Sequence, residues 1–268
     1  MSGRVLAIAG SDSGGGAGIQ ADIKTITALG GFAMTAITAI TVQDTLAVHE
    51  VQAISPRLVA RQMAVVLDDL GADAIKTGML GDVATIEAVC AAIETHGRGL
   101  PLVVDPVMRA TSGQTLLTDA ALAHLKRRLL PLASLVTPNI PEAEVLAGMT
   151  ISDRRAMHHA AEVLLTLGVP AVLLKGGHLP GEDVIDLLAT DSGIQSFHHP
   201  RLMTRHTHGT GCTLASAVAT GLAQGMALAE AVSRAGEFVH AAIAAAPGYG
   251  RGHGPLGHAM ALRSGVPI

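Results

Sequence analysis

The sequence has almost no aromatic residues. Three Phe, one Tyr and no Trp account for 1% of the 268 residues. A protein that stacks nucleobases on aromatic platforms is therefore not indicated, and a bound flat ring is expected to rest on aliphatic side chains and backbone. Charged residues are also few, at 15%, and the net charge is −4. Without a basic excess, neither a nucleic acid nor an anionic membrane surface is an expected partner.

Cysteine is equally scarce, with Cys90 and Cys212 as the two examples. They lack metal-ligand spacing, and no secretory segment accompanies them, so we expect a reducing cytoplasm as the location. The 13 histidines include no i, i+4 pair with an adjacent Glu, which makes a zinc site unexpected. The charge-free stretch 209–229 is filled with Gly, Ala, Ser and Thr, and it predicts a buried helix and not a membrane span.

Apolar residues are abundant, at 49%, which excludes intrinsic disorder. Short apolar runs alternate with segments of helical periodicity, which predicts an α/β fold with a mainly parallel sheet and helices on both faces. A strand, turn and strand pattern over 184–197 predicts a hairpin at one sheet edge, and a long Ala-rich helix is expected from about Gly211. We expect one domain over residues 1–268, with an irregular tail after about residue 247. The predicted parallel strands are Val5–Ala9, Met34–Val42, Ala74–Lys76, Leu102–Asp105, Leu135–Thr137 and Val172–Lys175.

Polar and glycine residues follow most of these runs. Ligands of doubly wound sheets bind at the carboxyl ends of the strands, so these residues are the first candidates for a site. They are Gly10, Gln43, Met79, Asp105, Asn139, Glu142 and Lys175.

The first loop, GSDSGGGAG, contains the pattern Gly16-x-Gly18-x-x-Ala21, a formal match to a loose dinucleotide fingerprint. The match is weak, because the acidic residue expected about 20 positions later has no clean counterpart. Turn formation and ligand contact both remain open for these glycines, and an NAD-dependent oxidoreductase is one alternative. The sequence has no Gly-Lys pair, which excludes the Walker A phosphate loop.

A second glycine segment, HTHGTGCT, precedes the predicted Ala-rich helix. Backbone N–H groups at a helix N-terminus form an anion site without a basic side chain; the alternative is an ordinary turn capped by Thr210 or Thr213. Cys212 falls in the first helical turn, where the helix dipole is expected to lower the thiol pKa if the site is open to water. A buried structural cysteine is the competing interpretation.

Oxygen-bearing side chains at two strand ends suit a hard divalent cation. Asp105, Asn139 and Glu142 are of the type that holds Mg²⁺ beside substrate phosphates, although Asn139 could equally serve as a helix cap with Glu142 in the first turn. Lys175 could neutralise phosphate charge or extend along the surface.

Seven motifs taken together resemble one family. They are GSDSGGGAGIQADIKT, TAITVQDT, KTGMLGD, VVDPVM, TPNIPEAEVL, LLKGGH and HTHGTGCTLASA, spread over residues 4–246. This set is similar to hydroxymethylpyrimidine/phosphomethylpyrimidine kinase of the ribokinase-like superfamily, an enzyme family of thiamine biosynthesis. The resemblance implies a three-layer sandwich and a homodimer. It also implies ATP and Mg²⁺ as cofactors, with two successive phosphorylations of 4-amino-5-hydroxymethyl-2-methylpyrimidine in one pocket.

The resemblance also assigns roles by position. Pyrimidine contacts are implied for Gly10, Ala17, Asp22, Gln43, Met79 and Val107. A magnesium role is implied for Asp105 and Glu142, and nucleotide binding for Asn139, Glu142, Lys175, Thr207, Gly209 and Gly211. Catalytic roles are implied for Lys175, Gly209, Thr210, Gly211 and Cys212.

Cys212 departs from many superfamily members, the sugar kinases and long pyridoxal kinases, which carry Asp at this position, although Cys is typical of the family it resembles. The hypothesis is that a Cys212 thiolate accepts the hydroxyl proton in the first step, whereas the second step starts from an ionised phosphate. The first loop also departs, since Pro and Ser are expected before its glycines. Two further readings are a pyridoxal kinase and a non-catalytic pyrimidine sensor; retention of Lys175, Cys212 and the acidic residues favours an enzyme.

Overall fold

The computed structural model describes residues 3–110 and 113–261. Its centre is a nine-stranded sheet with the order β3-β2-β1-β4-β5-β6-β7-β8-β9. The strands are β1 (Arg4–Asp12), β2 (Phe32–Gln43), β3 (Val48–Ala53), β4 (Ala74–Thr77), β5 (Leu102–Val104), β6 (Leu135–Val136), β7 (Ala171–Leu174), β8 (Asp183–Thr190) and β9 (Gly193–Pro200).

Nine α-helices connect and cover these strands in the described part of the chain. They are α1 (Gly18–Ala28), α2 (Pro56–Asp69), α3 (Val83–His96), α4 (Asp119–His124), α5 (Ile140–Ala147), α6 (Arg154–Leu165), α7 (Thr210–Ala223), α8 (Leu228–Ala244) and α9 (His258–Ala261). After α4 the chain continues through one π-helical turn, Leu125–Leu129, and one 3₁₀ turn, Leu130–Leu132.

The six strands at the middle of the sheet run parallel, and antiparallel pairs close both edges. Strand β3 pairs antiparallel with β2, and the β8–β9 hairpin extends the sheet beyond β7. This arrangement confirms the predicted mainly parallel sheet and the predicted edge hairpin. Val5 through Ala9 have no exposed surface, as expected for a strand covered by helices on both faces.

Each face of the sheet has its own apolar layer. Alternate side chains of a strand point to opposite faces, so Leu6 and Ile8 pack into the layer that contains α2 and α3, whereas Val5 packs with α7 and α8. These two layers and the sheet between them form the three-layer sandwich that was predicted.

The Ala-rich segment forms two helices where one long helix was expected. Helix α7 ends at Ala223, and α8 begins at Leu228. Gly225 between them adopts a φ of +85°, which continues a helix poorly and suits a sharp turn. Residues Thr213–Gly221 of α7 are buried as predicted. None of the helices in the described residues is long and apolar enough to cross a membrane.

The segment after Pro247 is irregular up to the short helix α9, in agreement with the expected tail. It folds back over the molecule, because the backbone N–H of His253 donates to Thr45 O at 2.9 Å and the N–H of Gly257 donates to Ala242 O at 2.9 Å. Residues 262–268 of the predicted tail lie outside the described residues.

A buried ion pair connects helix α1 to strand β4. Lys76 of β4 and Asp22 of α1 are both fully buried, with Nζ 2.7 Å from Oδ1. Ser216 of α7 donates to the same carboxylate oxygen at 2.7 Å. Burial disfavours the charge on Lys76, but Asp22 and its neighbours outweigh that effect and raise the pKa of Lys76. Burial also raises the pKa of the Asp22 carboxyl, and the contact between the two side chains holds α1, β4 and α7 together.

We predict that Lys76→Met destabilises the protein strongly, by about 3–5 kcal/mol, because it leaves the Asp22 carboxylate buried without its cation. Chemical denaturation gives the free energy of unfolding directly. Replacing both partners by apolar residues should recover most of the loss. Arg4→Met is the control, because the Arg4–Asp73 pair is exposed by 44% and 35% and should contribute far less. Equal losses in the two single variants would contradict the assignment.

Candidate active site

A cleft of about 800 Å³ lies at the carboxyl ends of the parallel strands, where the strand-end rule places ligands. It brings together the residues that the sequence singled out, with the exception of Asp22. The lining residues among them are Gly10, Ala17, Gln43, Met79, Asp105, Val107, Asn139, Glu142, Lys175, Thr207, Gly209, Thr210, Gly211 and Cys212.

Two glycine-containing loops meet at one wall of this cleft. The first loop, residues 13–17, connects β1 to α1, and the second, residues 206–209, leads into α7. Gly209 has a φ of +87°, and a Cβ there would lie 1.8 Å from Gly16 O; a Cβ on Gly18, at φ +55°, would lie 2.2 Å from Gly10 O. Gly209 is required because the two loops pack backbone against backbone, and Gly18 is required because the start of α1 packs against the backbone of β1. Steric necessity thus explains them independently of ligand contact.

The N-terminus of α7 faces the charged centre of the cleft. Among the described residues, no side chain caps this helix, because Thr210 Oγ1 donates to Thr207 O at 2.7 Å and Thr213 Oγ1 pairs with His258 Nε2 at 2.9 Å. A Cβ on Gly211 would lie 3.2 Å from Lys175 Nζ. The alternative of a threonine-capped turn is therefore not what forms, and the helix end is suited to an anion.

Lys175 and Asp105 form an ion pair at this centre, with Nζ 3.1 Å from Oδ1. The Lys175 side chain is 12% exposed, so it is not a surface lysine. Burial disfavours its charge, but Asp105 and Glu142 outweigh that effect and raise the pKa of Lys175. Thr137 donates to Asp105 Oδ1 at 3.3 Å. The cleft therefore offers a fixed cation beside a helix N-terminus.

Asn139 and Glu142 form a reciprocal capping box at the start of α5. Asn139 Oδ1 accepts from the Glu142 N–H, and Glu142 Oε2 accepts from the Asn139 N–H, both at 2.9 Å. Both residues also line the cleft, so the capping role expected as an alternative coexists with a place in the site. Burial, reinforced by Asp105, raises the pKa of Glu142 to about 7 against the opposing charge of Lys175.

The residues present fit a magnesium ion that keeps most of its own ligands. Asp105 and Glu142 contribute two carboxylates, and the described residues contain no group of three His, Cys, Asp or Glu that could hold a metal. Mg²⁺ bound by one or two carboxylates, waters and substrate phosphates matches this donor set, whereas a zinc site needs three or four protein ligands.

Cys212 is half-buried in the first turn of α7. Burial raises the pKa of its thiol to about 11, with Asp22 and Asp105 adding to the rise and Lys76 opposing it. A lowered pKa is expected for a thiol open to water, and burial of this thiol removes that condition in the free protein. Cys90, the other cysteine, is fully buried in α3, as expected for a structural residue.

Asp22 lies beneath the cleft and not in its wall. Its carboxylate is fully buried against Lys76 and Ser216. The implied contact with a pyrimidine is therefore not direct in this structure, because α1 and α7 cover the side chain.

Several lining residues were not anticipated. Asp12 and His208 lie at the junction of the two loops, and the far end of the cleft is formed by β8, β9 and α8. The rings of His199 and His240 stack there, with centroids 5.8 Å apart and planes inclined by 24°. Imidazoles thus supply flat surfaces that a count of Phe, Tyr and Trp could not show. The far end is lined by His178, Asp186, His199, Val239, His240 and Ile243.

The fold and the cleft define a class, the ribokinase-like kinases of small molecules. An ADP complex of Bacillus subtilis pyridoxal kinase superposes with a TM-score of 0.91 at 37% identity, covering 98% of this chain and 99% of that one. A phosphomethylpyrimidine kinase from Clostridium difficile 630 superposes with a TM-score of 0.77 at 40% identity, covering 87% of this chain and 95% of that one.

The sequence comparisons then identify the family. Residues 12–257 match the family model described as phosphomethylpyrimidine kinase. The chain is 46% identical to hydroxymethylpyrimidine/phosphomethylpyrimidine kinase of Bacillus subtilis, covering 95% of this chain and 94% of that protein. It is 50% identical to the thiamine biosynthesis bifunctional protein ThiED of Geobacter sulfurreducens over 97% of its own length, and it spans 53% of that relative. The chain belongs to the phosphomethylpyrimidine kinase family, as its motifs predicted, and membership of a kinase family implies the use of ATP.

We predict that Cys212 alkylates slowly at pH 7 in the free protein and about tenfold faster with each unit of pH, because the thiolate is the nucleophile and its population grows until the pH reaches the pKa. Iodoacetamide labelling followed by mass spectrometry measures the rate at each pH. Cys212→Ser should abolish the labelling, since burial raises the pKa of Cys90 to about 12. A rate that levels off below pH 8 would show a lowered pKa instead.

Proposed function

We propose that this chain phosphorylates 4-amino-5-hydroxymethyl-2-methylpyrimidine to its monophosphate and then to its diphosphate, with ATP as the donor, for thiamine biosynthesis. The observation that carries the proposal is the position of the α7 N-terminus. It lies beside the Lys175–Asp105 pair in the cleft, since a Cβ on Gly211 would be 3.2 Å from Lys175 Nζ. The names of the relatives, matched over nearly the whole chain, supply the substrate.

The acceptor end suits a small polar ring. Gln43 lines it with an amide that offers both a donor and an acceptor, while Met79 and Val107 offer aliphatic surface to the ring faces. Gly10 lies against Met79, since a Cβ there would be 3.5 Å from Sδ. We assign the pyrimidine to this end, with Ala17 in the same wall and Asp22 supporting it from beneath through Lys76.

The centre of the cleft suits the phosphate groups. Lys175 compensates charge on the transferred group, and the backbone N–H groups at Gly209, Thr210 and Gly211 approach it because no side chain caps α7 among the described residues. Asp105 and Glu142 would hold Mg²⁺, which when bound neutralises the phosphate oxygens. Asn139 keeps Glu142 in position through the capping box, and Thr207 is assigned to the nucleotide phosphates.

The nucleotide base is assigned to the far end of the cleft. Burial lowers the pKa of His199 there, so its ring stays neutral near pH 7 and can lie against a base without a charge. Asp186 accepts from the Gly176 N–H at 2.8 Å, which fixes the loop that follows Lys175.

Cys212 is proposed as the base for the first step. Its raised pKa means that the thiolate is rare before the substrates bind. Asp105 is one of the charges that raise it, and engagement of that carboxylate with a cation removes this effect. The second step begins from a phosphate that is already ionised, and phosphoryl transfer depends mainly on positioning and charge stabilisation.

The remaining expectations are part of the same proposal. We take residues 1–268 as a single kinase domain that acts in the cytoplasm as a homodimer. Pyridoxal is a second candidate acceptor, because the ADP-bound Bacillus subtilis pyridoxal kinase superposes over nearly the whole chain. A non-catalytic sensor is disfavoured, because Lys175, Cys212 and both carboxylates are present in the cleft.

The decisive assay measures ADP release by the purified protein with ATP and Mg²⁺. The hydroxymethylpyrimidine, its monophosphate and pyridoxal are supplied separately as acceptors. We expect turnover of both pyrimidines, because one cleft accepts the ring and places either the hydroxyl or the phosphate beside Lys175. Turnover of pyridoxal alone would reassign the chain to vitamin B6 salvage, and no turnover of any of the three would favour a sensor.

The base role predicts an asymmetric defect. Cys212→Ala should slow phosphorylation of the hydroxymethylpyrimidine by about 10²–10⁴-fold, the range of general acid–base catalysis, while the second step loses much less. Single-turnover measurements with each acceptor separate the two rates. Cys90→Ala serves as the control and should leave both rates intact. Full activity of Cys212→Ala in the first step would remove the base role and leave the kinase assignment standing.

A further inference from the structure

Asp12 and His208 form a contact that joins the two loops at the acceptor end. His208 Nε2 lies 2.8 Å from Asp12 Oδ2, and both residues are buried, with 7% and 4% of their surface exposed. We call this contact the Asp12–His208 clasp. His208 directly precedes Gly209, so the clasp connects the start of the first loop to the loop that leads into α7.

Asp12 also organises its own loop. Its carboxylate accepts N–H groups from Gly14 at 2.8 Å, Gly16 at 3.1 Å and Ala17 at 2.8 Å. Burial alone would raise its pKa, but the hydrogen bonds from His208 and the backbone outweigh burial and hold the pKa below the usual value. The carboxylate is therefore ionised at neutral pH, and an ionised carboxylate only accepts.

This acceptor fixes the hydrogen on His208. Because Asp12 cannot donate, Nε2 of His208 must carry the hydrogen of their 2.8 Å contact. The same nitrogen then has no lone pair to accept a second hydrogen. A Cβ on Gly16 would lie 2.4 Å from His208 Cδ2, so the edge of the ring packs closely against the first loop.

His208 also lies next to the side-chain amide of Gln43, whose Nε2 is 3.4 Å from His208 Nε2. In this orientation the N–H groups of Gln43 Nε2 and His208 Nε2 face each other, which is unfavourable. Rotating the amide would place Oε1 toward the imidazole and Nε2 toward Thr41. Thr41 Oγ1 can serve either rotamer, since it lies 3.1 Å from the Gln43 amide and 3.2 Å from Ser11 O, to which it can donate. The hydrogen on His208 therefore decides which side of the amide presents a donor to the cleft.

We propose that His208, held by Asp12, is a positioning residue that orients the Gln43 amide and thereby sets which acceptor ring is phosphorylated. This role rests on the proposed pyrimidine kinase activity. An aminopyrimidine offers a ring nitrogen that accepts next to an amino group that donates, so it pairs with one order of donor and acceptor on Gln43. Pyridoxal lacks that pair of groups and gains nothing from the orientation.

The test is steady-state kinetics of His208→Leu with three substrates. We expect the KM for the hydroxymethylpyrimidine to rise about tenfold or more, as when a polar group of a specific site loses its partner, while the KM for ATP stays unchanged. Because pyridoxal does not depend on the amide order, the preference in kcat/KM for the pyrimidine over pyridoxal should fall by a similar factor.

Two variants distinguish positioning from a general structural defect. His208→Gln places an amide N–H where the imidazole N–H was, so it should restore most of the selectivity. His253→Leu is the matched control, because His253 is exposed on the returning tail with Nδ1 3.1 Å from Arg205 O. Its loss should leave the KM for the hydroxymethylpyrimidine, the KM for ATP and the preference for the pyrimidine over pyridoxal unchanged.

Asp12→Asn tests the other half of the clasp and carries the test if His208→Leu fails to fold. The amide introduced by this substitution can donate to His208, so Nε2 of His208 no longer has to carry the hydrogen. The preference for the pyrimidine over pyridoxal should therefore fall as in His208→Leu. Combining the two substitutions should cause no further fall, because both act through the same contact. Unchanged selectivity in Asp12→Asn, or parallel losses for ATP and both acceptors, would overturn the proposal. Failure of the unmodified protein to use the pyrimidine would instead overturn the proposed function.

Discussion

The buried pair between Lys76 and Asp22 is the contact on which the geometry of the cleft depends. It lies below the N-terminus of α7 and joins that helix, through Ser216, to α1 and the sheet. Two opposite charges without exposed surface are stable only while both are present, so the three elements are fixed relative to one another. The loops that precede α1 and α7 are therefore held at a fixed distance from each other, which allows Gly209 and Gly16 to pack backbone against backbone.

The two lysines near Cys212 therefore have different surroundings. Lys76 is buried and neutralised by Asp22, whereas Lys175 reaches the cleft beside Asp105. The thiol lies close to both but remains protonated in the free protein because burial dominates. In the base role proposed for Cys212, the thiol loses its proton only after substrates have changed the charge balance of the cleft.

The sequence was sufficient for the architecture and for most of the cleft. Continuous apolar runs such as Val5–Ala9 can only be buried strands, and the carboxyl-end rule then brings Gln43, Asp105 and Lys175 to one edge. The roles proposed for them come from the family motifs and not from spacing. The pKa of Cys212 could not be predicted, because the dipole is a local property of the helix whereas burial depends on the elements packed above it.

The missed features share one cause, which is that they need contacts distant in sequence. His199 and His240 become a stacked pair only when the β8–β9 hairpin meets α8. The burial of Asp22 has a similar origin, because its side chain is held by Lys76 of β4 and Ser216 of α7. Sequence motifs identify the important residues. They say less about the direction in which those side chains point.

The clasp between Asp12 and His208 spans 196 positions of the chain, which has a consequence for synthesis on the ribosome. The N-terminal strands can pair early, since domains fold as the chain emerges, yet the wall around Gln43 stays open until residue 208 has left the exit tunnel. The returning tail extends that delay, because the N–H of His208 reaches Gly254 O at 3.2 Å. A nascent chain that stalls before this point carries the strands of the sheet but cannot close the wall of the cleft around Gln43.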